Sequence, residues 1–416
     1  MVINKDKYLE SKSLSILLFV FLFLLYAVVY MTKSMFSSAM ATIVEEGVMT
    51  KSQTGFINAV FWFVYALFQI IGGFAADKYS PHKLIIIGVS GAILSNLIIY
   101  FNNSYPVIIA AWSFNAAIQF GIWPGVFKIV STQLEPNLRA TAVFWMLFAT
   151  SVGLGVSMLL ASFVNSWQDN FLISMLVLIL FLILYIIIYR YCEKRMVVKE
   201  FRSSSDTSTN VKVEKYPMIP LLFSSGLIVL MVVCLFRTAV DNGIKMLTPV
   251  MLMESYEQLP AALSTRLSSI LIIFSALAVL LTGFVKGRIT RCEVKAQIIL
   301  YSLSLLPLIA VCFIGKLNYI IILVALSVAV MFVHSAAPFG QSFIVLNYGK
   351  YGRIGTVSGI LNATSSIGNV AASYVFAKMS EYMSWQTISV YWVVIVAVSL
   401  AFCIMILPRW TKFKQS

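Results

Sequence analysis

The run FLISMLVLILFLILYIIIY, residues 171–189, holds nineteen consecutive residues without a charge and is closed by Arg190, Lys194 and Arg195. A helix rises about 1.5 Å per residue and the hydrocarbon of a bilayer is about 30 Å thick, so a run of this length and composition predicts a membrane span. Reading outward in both directions, comparable runs lie near residues 14–44, 54–76, 83–101, 106–133, 140–165, 219–252, 265–286, 294–315, 318–346, 354–379 and 387–407. The chain is 60% hydrophobic and 11% charged, with mean hydropathy +0.92, which leaves too little polar surface to cover a water-soluble core of 416 residues. The expected fold is an all-α membrane protein of twelve transmembrane helices.

A net charge of +14 in a soluble chain would point to nucleic acid. Here its placement gives another explanation. With both termini cytoplasmic, 22 of the 30 Lys and Arg fall on the inner side, and Lys51, Arg266, Lys316 and Lys378 fall outside. This is the asymmetry of a multi-pass protein of the cytoplasmic membrane, with the lipid bilayer as partner and no nucleic acid. The other four, Lys33, Lys128, Arg237 and Lys245, sit inside predicted spans. A signal peptide is the competing reading of the first run, since Lys5, Lys7 and Lys12 precede it and Ala39-Met40-Ala41 resembles a cleavage site. The run is too long for that role and carries Lys33 before the supposed site. The five cysteines are scattered without metal-ligand spacing, so neither a disulfide framework nor a metal or cofactor site is expected. No nucleophile and base converge, which argues against an enzyme.

The polar stretch Arg190 to Pro217, with its Ser203–Thr209 run, reads as a cytoplasmic linker. It divides the chain into an N-terminal six-helix bundle, 1–189, a linker, 190–217, and a C-terminal six-helix bundle, 218–416. Landmarks recur across it in order. Ala149-Thr150-Ser151 returns as Ala363-Thr364-Ser365, Ser166-Trp167-Gln168 as Ser384-Trp385-Gln386, Gly73 as Gly283, and Arg139 as Arg353, at offsets of 210 to 218. Duplication explains the order, and two pseudo-symmetric bundles imply a solute site near the membrane midplane between them.

The charges inside the spans are the candidate site. Lys33 is 12 residues before Glu45, about 18 Å along a helix, and Asp241 is 13 residues before Glu254, about 20 Å. Both are expected near the midplane. Each such charge costs at least about 2.5 to 3.5 kcal/mol on insertion scales, so it needs water or a partner. Arg237, Asp241 and Lys245 are spaced i, i+4, i+8 and share one stripe of the seventh helix. Either they form a self-neutralising ladder, or Asp241 orients two bases until substrate or a proton displaces it. Lys33, Arg237 and Lys245 against Asp241 leave two positive charges, for which a small anionic solute is the natural counter-charge. Lys128 either lines the site or snorkels toward the cytoplasm. Tyr65, Gln69, Gln119, Trp123 and Asn362 are candidate polar or aromatic lining, and His334 is expected to be a packing residue in the tenth helix.

The stretch Gly73-Phe74-Ala75-Ala76-Asp77-Lys78-Tyr79-Ser80-Pro81-His82-Lys83 resembles the signature loop after the second helix in the major facilitator superfamily, with Ser80-Pro81-His82 replacing the usual glycine and basic residues. The resemblance implies the major facilitator fold and a conformational latch at Gly73 and Asp77, one-sided because Gly283-Phe284-Val285-Lys286-Gly287-Arg288 lacks the acid. Within that superfamily the chain resembles the organophosphate:phosphate antiporters. The likeness rests on Tyr30–Phe36 with Glu45-Glu46-Gly47, on Gln119 with Trp123-Pro124 and Arg139, and on Gly355–Gly359 with Gly368 and Ala371-Ala372-Ser373. Their basic pair in the first helix is Lys33-Ser34 here, their second-helix lysine falls on Gln69, their fourth-helix histidine on Thr132, and their seventh-helix arginine on Asp241. The resemblance implies a monomeric alternating-access transporter, with a coupling proton or counter-anion. Two other functions fit the same chain: a proton-coupled carrier of neutral or zwitterionic solutes, and a membrane sensor of sugar phosphates on a transporter scaffold.

Overall fold

A computed structural model describes residues 5–164, 166–200, 218–348 and 354–415. Among the described residues twelve long helical segments succeed one another, with a short helix Met218–Ser224 before the seventh: α1 Lys12–Glu45, α2 Lys51–Lys78, α3 Pro81–Tyr100, α4 Tyr105–Thr132, α5 Pro136–Phe163 and α6 Asp169–Glu193. The second six are α7 Leu227–Ser255, α8 Ala261–Ile289, α9 Glu293–Val311, α10 Tyr319–Phe343, α11 and α12 Trp385–Gln415. α11 is built from Ile354–Val370, Ala371–Val375 and Phe376–Tyr382. Each coincides with one of the twelve apolar runs. Lys5–Tyr8, β1, pairs antiparallel with Val197–Glu200, β2, a small addition that periodicity does not foretell. Most of the predicted linker, residues 201–217, lies outside the described residues, as does Arg353.

The helix boundaries arise from local chemistry. Thr50 and Gln53 form a reciprocal cap at the start of α2: the Thr50 N–H donates to Gln53 Oε1 at 2.9 Å and the Gln53 N–H to Thr50 Oγ1 at 3.2 Å. Prolines stand in the first turns of α3, α4 and α5, where a missing N–H removes no helical bond. A 3-10 turn at Gln119–Gly121 interrupts α4 just before Pro124, whose ring removes a hydrogen bond and crowds the preceding turn. Before α7 the chain turns at Gly226, φ +73°, a left-handed conformation that a Cβ disfavours. Three π-helical segments, Val285–Ile289, Phe339–Phe343 and Ala371–Val375, lie in α8, α10 and α11.

By contact the chain separates into one unit of Met1–Met35 with Val64–Val211 and another of Phe36–Phe63 with Lys212–Ser416. In the first unit, α6 shows how the apolar surface is used. Leu176, Leu180, Ile183 and Ile187 are exposed along one stripe while Phe171, Ser174, Leu178, Tyr185 and Tyr189 are buried on the other. An outward apolar stripe is the surface that lipid covers.

Both units repeat one helix crossing. A Cβ on Gly153 of α5 would overlap the Ala27 carbonyl and the Met31 nitrogen of α1. A Cβ on Gly368 of α11 would overlap the Leu235 carbonyl and crowd the Ala239 nitrogen of α7. Only glycine lets the backbones approach this closely. The two repeated glutamines also act alike. Gln168 Nε2 donates to Asn103 Oδ1 at 2.8 Å, and Gln386 Nε2 to the Ile314 carbonyl at 3.0 Å, each tying its helix to the connection two helices upstream.

Candidate functional site

Among the described residues of the first unit one amine is buried. Lys33 lies on α1 two residues beyond the Gly153 crossing, and its residue is only 3% exposed. Its Nζ donates to Tyr65 Oη of α2 at 2.8 Å and sits 4.0 Å from that ring's centroid. A phenol and a ring face supply hydrogen bonding and quadrupole attraction but no formal negative charge. Among the described residues Lys33 makes no ion pair. Gln69 lies one helical turn beyond Tyr65 and is half-buried. Trp123 is half-buried against Tyr26, centroids 4.8 Å apart, and against Phe127. Gln119 is fully buried with its side-chain amide on Asn115 Oδ1, and Lys128 is half-buried.

In the second unit the stripe on α7 closes into a cluster. Lys245 Nζ is 2.8 Å from Asp241 Oδ1, and Arg237 Nη1 is 3.5 Å from Asp241 Oδ2. Arg237 Nη2 also donates to Thr238 Oγ1 at 2.6 Å, which in turn donates to the Cys234 carbonyl. The i, i+4, i+8 spacing therefore brings all three charges together, as the sequence suggests. His334 of α10 joins them, contrary to the expectation of a packing histidine. Its Nδ1 is 2.8 Å from Asp241 Oδ2 and 3.0 Å from Lys245 Nζ. The sequence does carry a signal for it: an ionisable residue within an apolar span is expected to have a partner. With a neutral imidazole the cluster carries one net positive charge. The Arg237, Asp241 and Lys245 side chains are at most 6% exposed, whereas His334 is 29% exposed. Asn362 of α11 is exposed.

A second polar network lies at the end of α7. Lys51 Nζ is 3.0 Å from Glu254 and donates to the Ser380 carbonyl at 2.8 Å. The Ser52 N–H donates to Glu381, the Trp385 Nε1–H to Glu254, and the Ala261 N–H to Glu45.

Gly73 and Asp77 fall in the last two turns of α2, where the backbone alone is described, so the latch lies outside the described side chains. The signature is helical rather than a loop: α2 continues to Lys78 and α8 continues through Gly283 to Ile289. In the second half an acid does stand at the corresponding end, supplied by the next helix. Glu293 opens α9, is 8% exposed, and accepts from Lys414 Nζ at 3.0 Å, Trp410 Nε1 at 3.2 Å and Asn347 Nδ2 at 3.4 Å.

Comparison with known proteins places this architecture. The chain is 25% identical over 138 residues to a probable hexose phosphate transport protein of Chlamydia trachomatis, covering 33% of this chain and 30% of that protein. It is 22% identical over 154 residues to the membrane sensor protein UhpC of Escherichia coli, covering 36% and 35%. It thus spans about a third of the length of these curated relatives. In fold it is similar to a bacterial homologue of the human lysosomal transporter Spinster, solved inward-facing and unoccupied. The TM-score is 0.76 at 16% identity, over 97% of this chain and 99% of that one. The model of the Major Facilitator Superfamily matches residues 22–372. A match over most of the chain, on twelve helices that repeat their crossings by halves, means that this chain belongs to the major facilitator superfamily.

Proposed function

We propose that this chain is a secondary transporter of a small organic anion, phosphorylated or carboxylated, moved by alternating access in exchange for another anion or together with protons. It works as a monomer in the cytoplasmic membrane, with both termini on the cytoplasmic side. The observation that carries this reading is Lys33, an amine 3% exposed whose partner is the uncharged phenol of Tyr65. A buried ammonium without a carboxylate is costly, and a solute anion is the counter-charge that removes the cost. The Arg237–Asp241–Lys245 cluster has the same sign, one net positive charge. Similarity to a probable hexose phosphate transport protein supports an anionic solute.

Counterflow into proteoliposomes tests the reading. Vesicles loaded with inorganic phosphate or an unlabelled sugar phosphate should take up labelled sugar phosphate several-fold faster than empty ones. Preference for a neutral solute, with acceleration by an imposed proton gradient, would discard the anion. A second reading, a membrane sensor of sugar phosphate, draws on the similarity to UhpC. Saturable binding without any counterflow would favour it.

A further inference from the structure

His334 occupies a position that its chemistry cannot satisfy in one state. A single ring nitrogen, Nδ1, lies 2.8 Å from a carboxylate oxygen of Asp241 and 3.0 Å from the ammonium of Lys245. The carboxylate only accepts a hydrogen bond and the ammonium only donates one. If Nδ1 carries a proton it donates to Asp241 and faces Lys245 with no lone pair. If Nδ1 is bare it accepts from Lys245 and faces Asp241 lone pair to lone pair. Two arrangements of the same atoms differ in where one proton sits. Lys245 can adapt to either, because its Nζ also reaches Asp241 Oδ1 at 2.8 Å.

The other ring nitrogen gives that proton a route. Nε2 has no protein partner among the described residues, and His334 is the one member of the cluster with substantial exposure, 29%. The charged groups that act on the ring are Asp241, Lys245 and Arg237, all from α7. Tyr301 of α9, fully buried, faces Arg237 and Asp241 behind them, its hydroxyl directed to Gln297.

We propose that His334 is the proton-binding site of this cluster and matches its charge to that of the bound anion. A proton taken from water at Nε2, with Nδ1–H donated to Asp241 Oδ2, converts a neutral imidazole into imidazolium and raises the net charge of the cluster from one positive to two. Lys245 then pairs with Asp241 Oδ1 alone. Loss of the Nε2 proton to water restores the neutral ring, with Nδ1–H still donated to Asp241 Oδ2. Phosphate monoesters lose their second proton near pH 6, close to the ordinary range of histidine, so protonation here lets one site hold the dianion with its charge balanced. This inference rests on reading the cluster as part of an anion site.

The chain contains only two histidines, His82 and His334, so the imidazole nitrogens can be tracked directly. Full-length protein labelled with nitrogen-15 histidine and purified without a histidine tag would be reconstituted and titrated from pH 5 to 8.5. Spectra would be taken alone, with sulfate, a dianion of fixed charge, and with inorganic phosphate. H334Q assigns the signals. The expected result is a His334 signal that changes protonation state within this range, with its midpoint moved upward by at least half a pH unit by sulfate and abolished as a two-state titration in D241N. A His334 that keeps one state at every pH, with and without either anion, overturns the inference. Titration of His334 that neither anion moves overturns its charge-matching role. Should sugar-phosphate counterflow by H334Q retain the wild-type pH profile, the inference fails while the anion reading stands; absence of all counterflow in the wild type counts against the anion reading itself.

Discussion

Lys33 and Asp241 occupy equivalent places in the two halves: each lies two residues beyond the backbone nitrogen, Met31 or Ala239, that packs against the crossing glycine of its own unit. Their opposite signs are therefore a divergence at one duplicated position. Among the described residues Lys33 faces one phenol, that of Tyr65, while Asp241 faces Arg237, Lys245 and His334. The net sign around both positions is still positive.

Replacing Lys33 by Gln should reduce counterflow at least about tenfold while the melting temperature of the purified protein stays close to wild type. Removing a buried charge that has no ionic partner relieves a desolvation cost, so stability is not expected to fall. Expression, thermal unfolding and transport per folded molecule check this. A variant that misfolds yet transports normally per folded molecule would give Lys33 a structural role.

Asp241→Asn removes the acceptor shared by three groups, so anions should bind more tightly and leave more slowly, at a stability cost of about 3–5 kcal/mol from the unpaired buried bases. The double variant Arg237→Gln with Asp241→Asn should be milder than the two single effects summed, with a coupling of about 1–3 kcal/mol. A double-mutant cycle on thermal stability and on anion affinity measures it. Strict additivity would show that the 3.5 Å pair does not interact.

Gly368→Val should cost stability, about 1–3 kcal/mol for forced overpacking, because the added atoms meet the Leu235 carbonyl rather than a mobile side chain. Gly283→Ala is the matched control, with nothing within 4 Å of its new Cβ, and should be neutral or gain up to about 1 kcal/mol from helix propensity. Thermal unfolding of the two variants side by side is sufficient.

Glu293→Gln should loosen the end of α12 by about 1–3 kcal/mol, since one buried carboxylate accepts from Lys414, Trp410 and Asn347. Faster amide exchange in residues 408–415, with the rest of α12 unchanged, is the expected pattern. Uniform exchange along the whole helix would instead mean a global loss of stability.

The twelve helices are legible in the sequence because lipid demands about 20 apolar residues per span, a pattern that survives any choice of core partner. The stripe on α7 is legible because spacing along one helix fixes its neighbours. Partners on different elements are not. His334 reaches Asp241 across 93 residues of chain, and Trp410 reaches Glu293 across 117. No periodicity encodes either. Tyr65 and Lys33 are both visible as candidates, yet their pairing depends on the packing of α1 on α2. The 3-10 turn in α4 is foreshadowed by Pro124 and the π-helical turn at Phe339–Phe343 by Pro338, whereas Val285–Ile289 and Ala371–Val375 have no proline beside them.

Those π turns bear on how the two halves came to differ in length. From Lys33 to Gln168 the first half uses 135 residues, and from Asp241 to Gln386 the second uses 145. The offset between matched landmarks widens along the chain, from 208 at Lys33 and Asp241 to 211 at Asn103 and Ile314, 215 at Gly153 and Gly368, and 218 at Gln168 and Gln386. Each of these three increments spans one π-helical segment, Val285–Ile289, Phe339–Phe343 or Ala371–Val375. A π turn closes its hydrogen bond over one residue more than an α turn, so it holds one residue of each increment inside a helix without displacing the turns beyond it, and the rest of each increment of 3, 4 and 3 lies elsewhere. After duplication, then, insertions need not all have been confined to loops, and a search for internal symmetry at one fixed period would lose register along the chain.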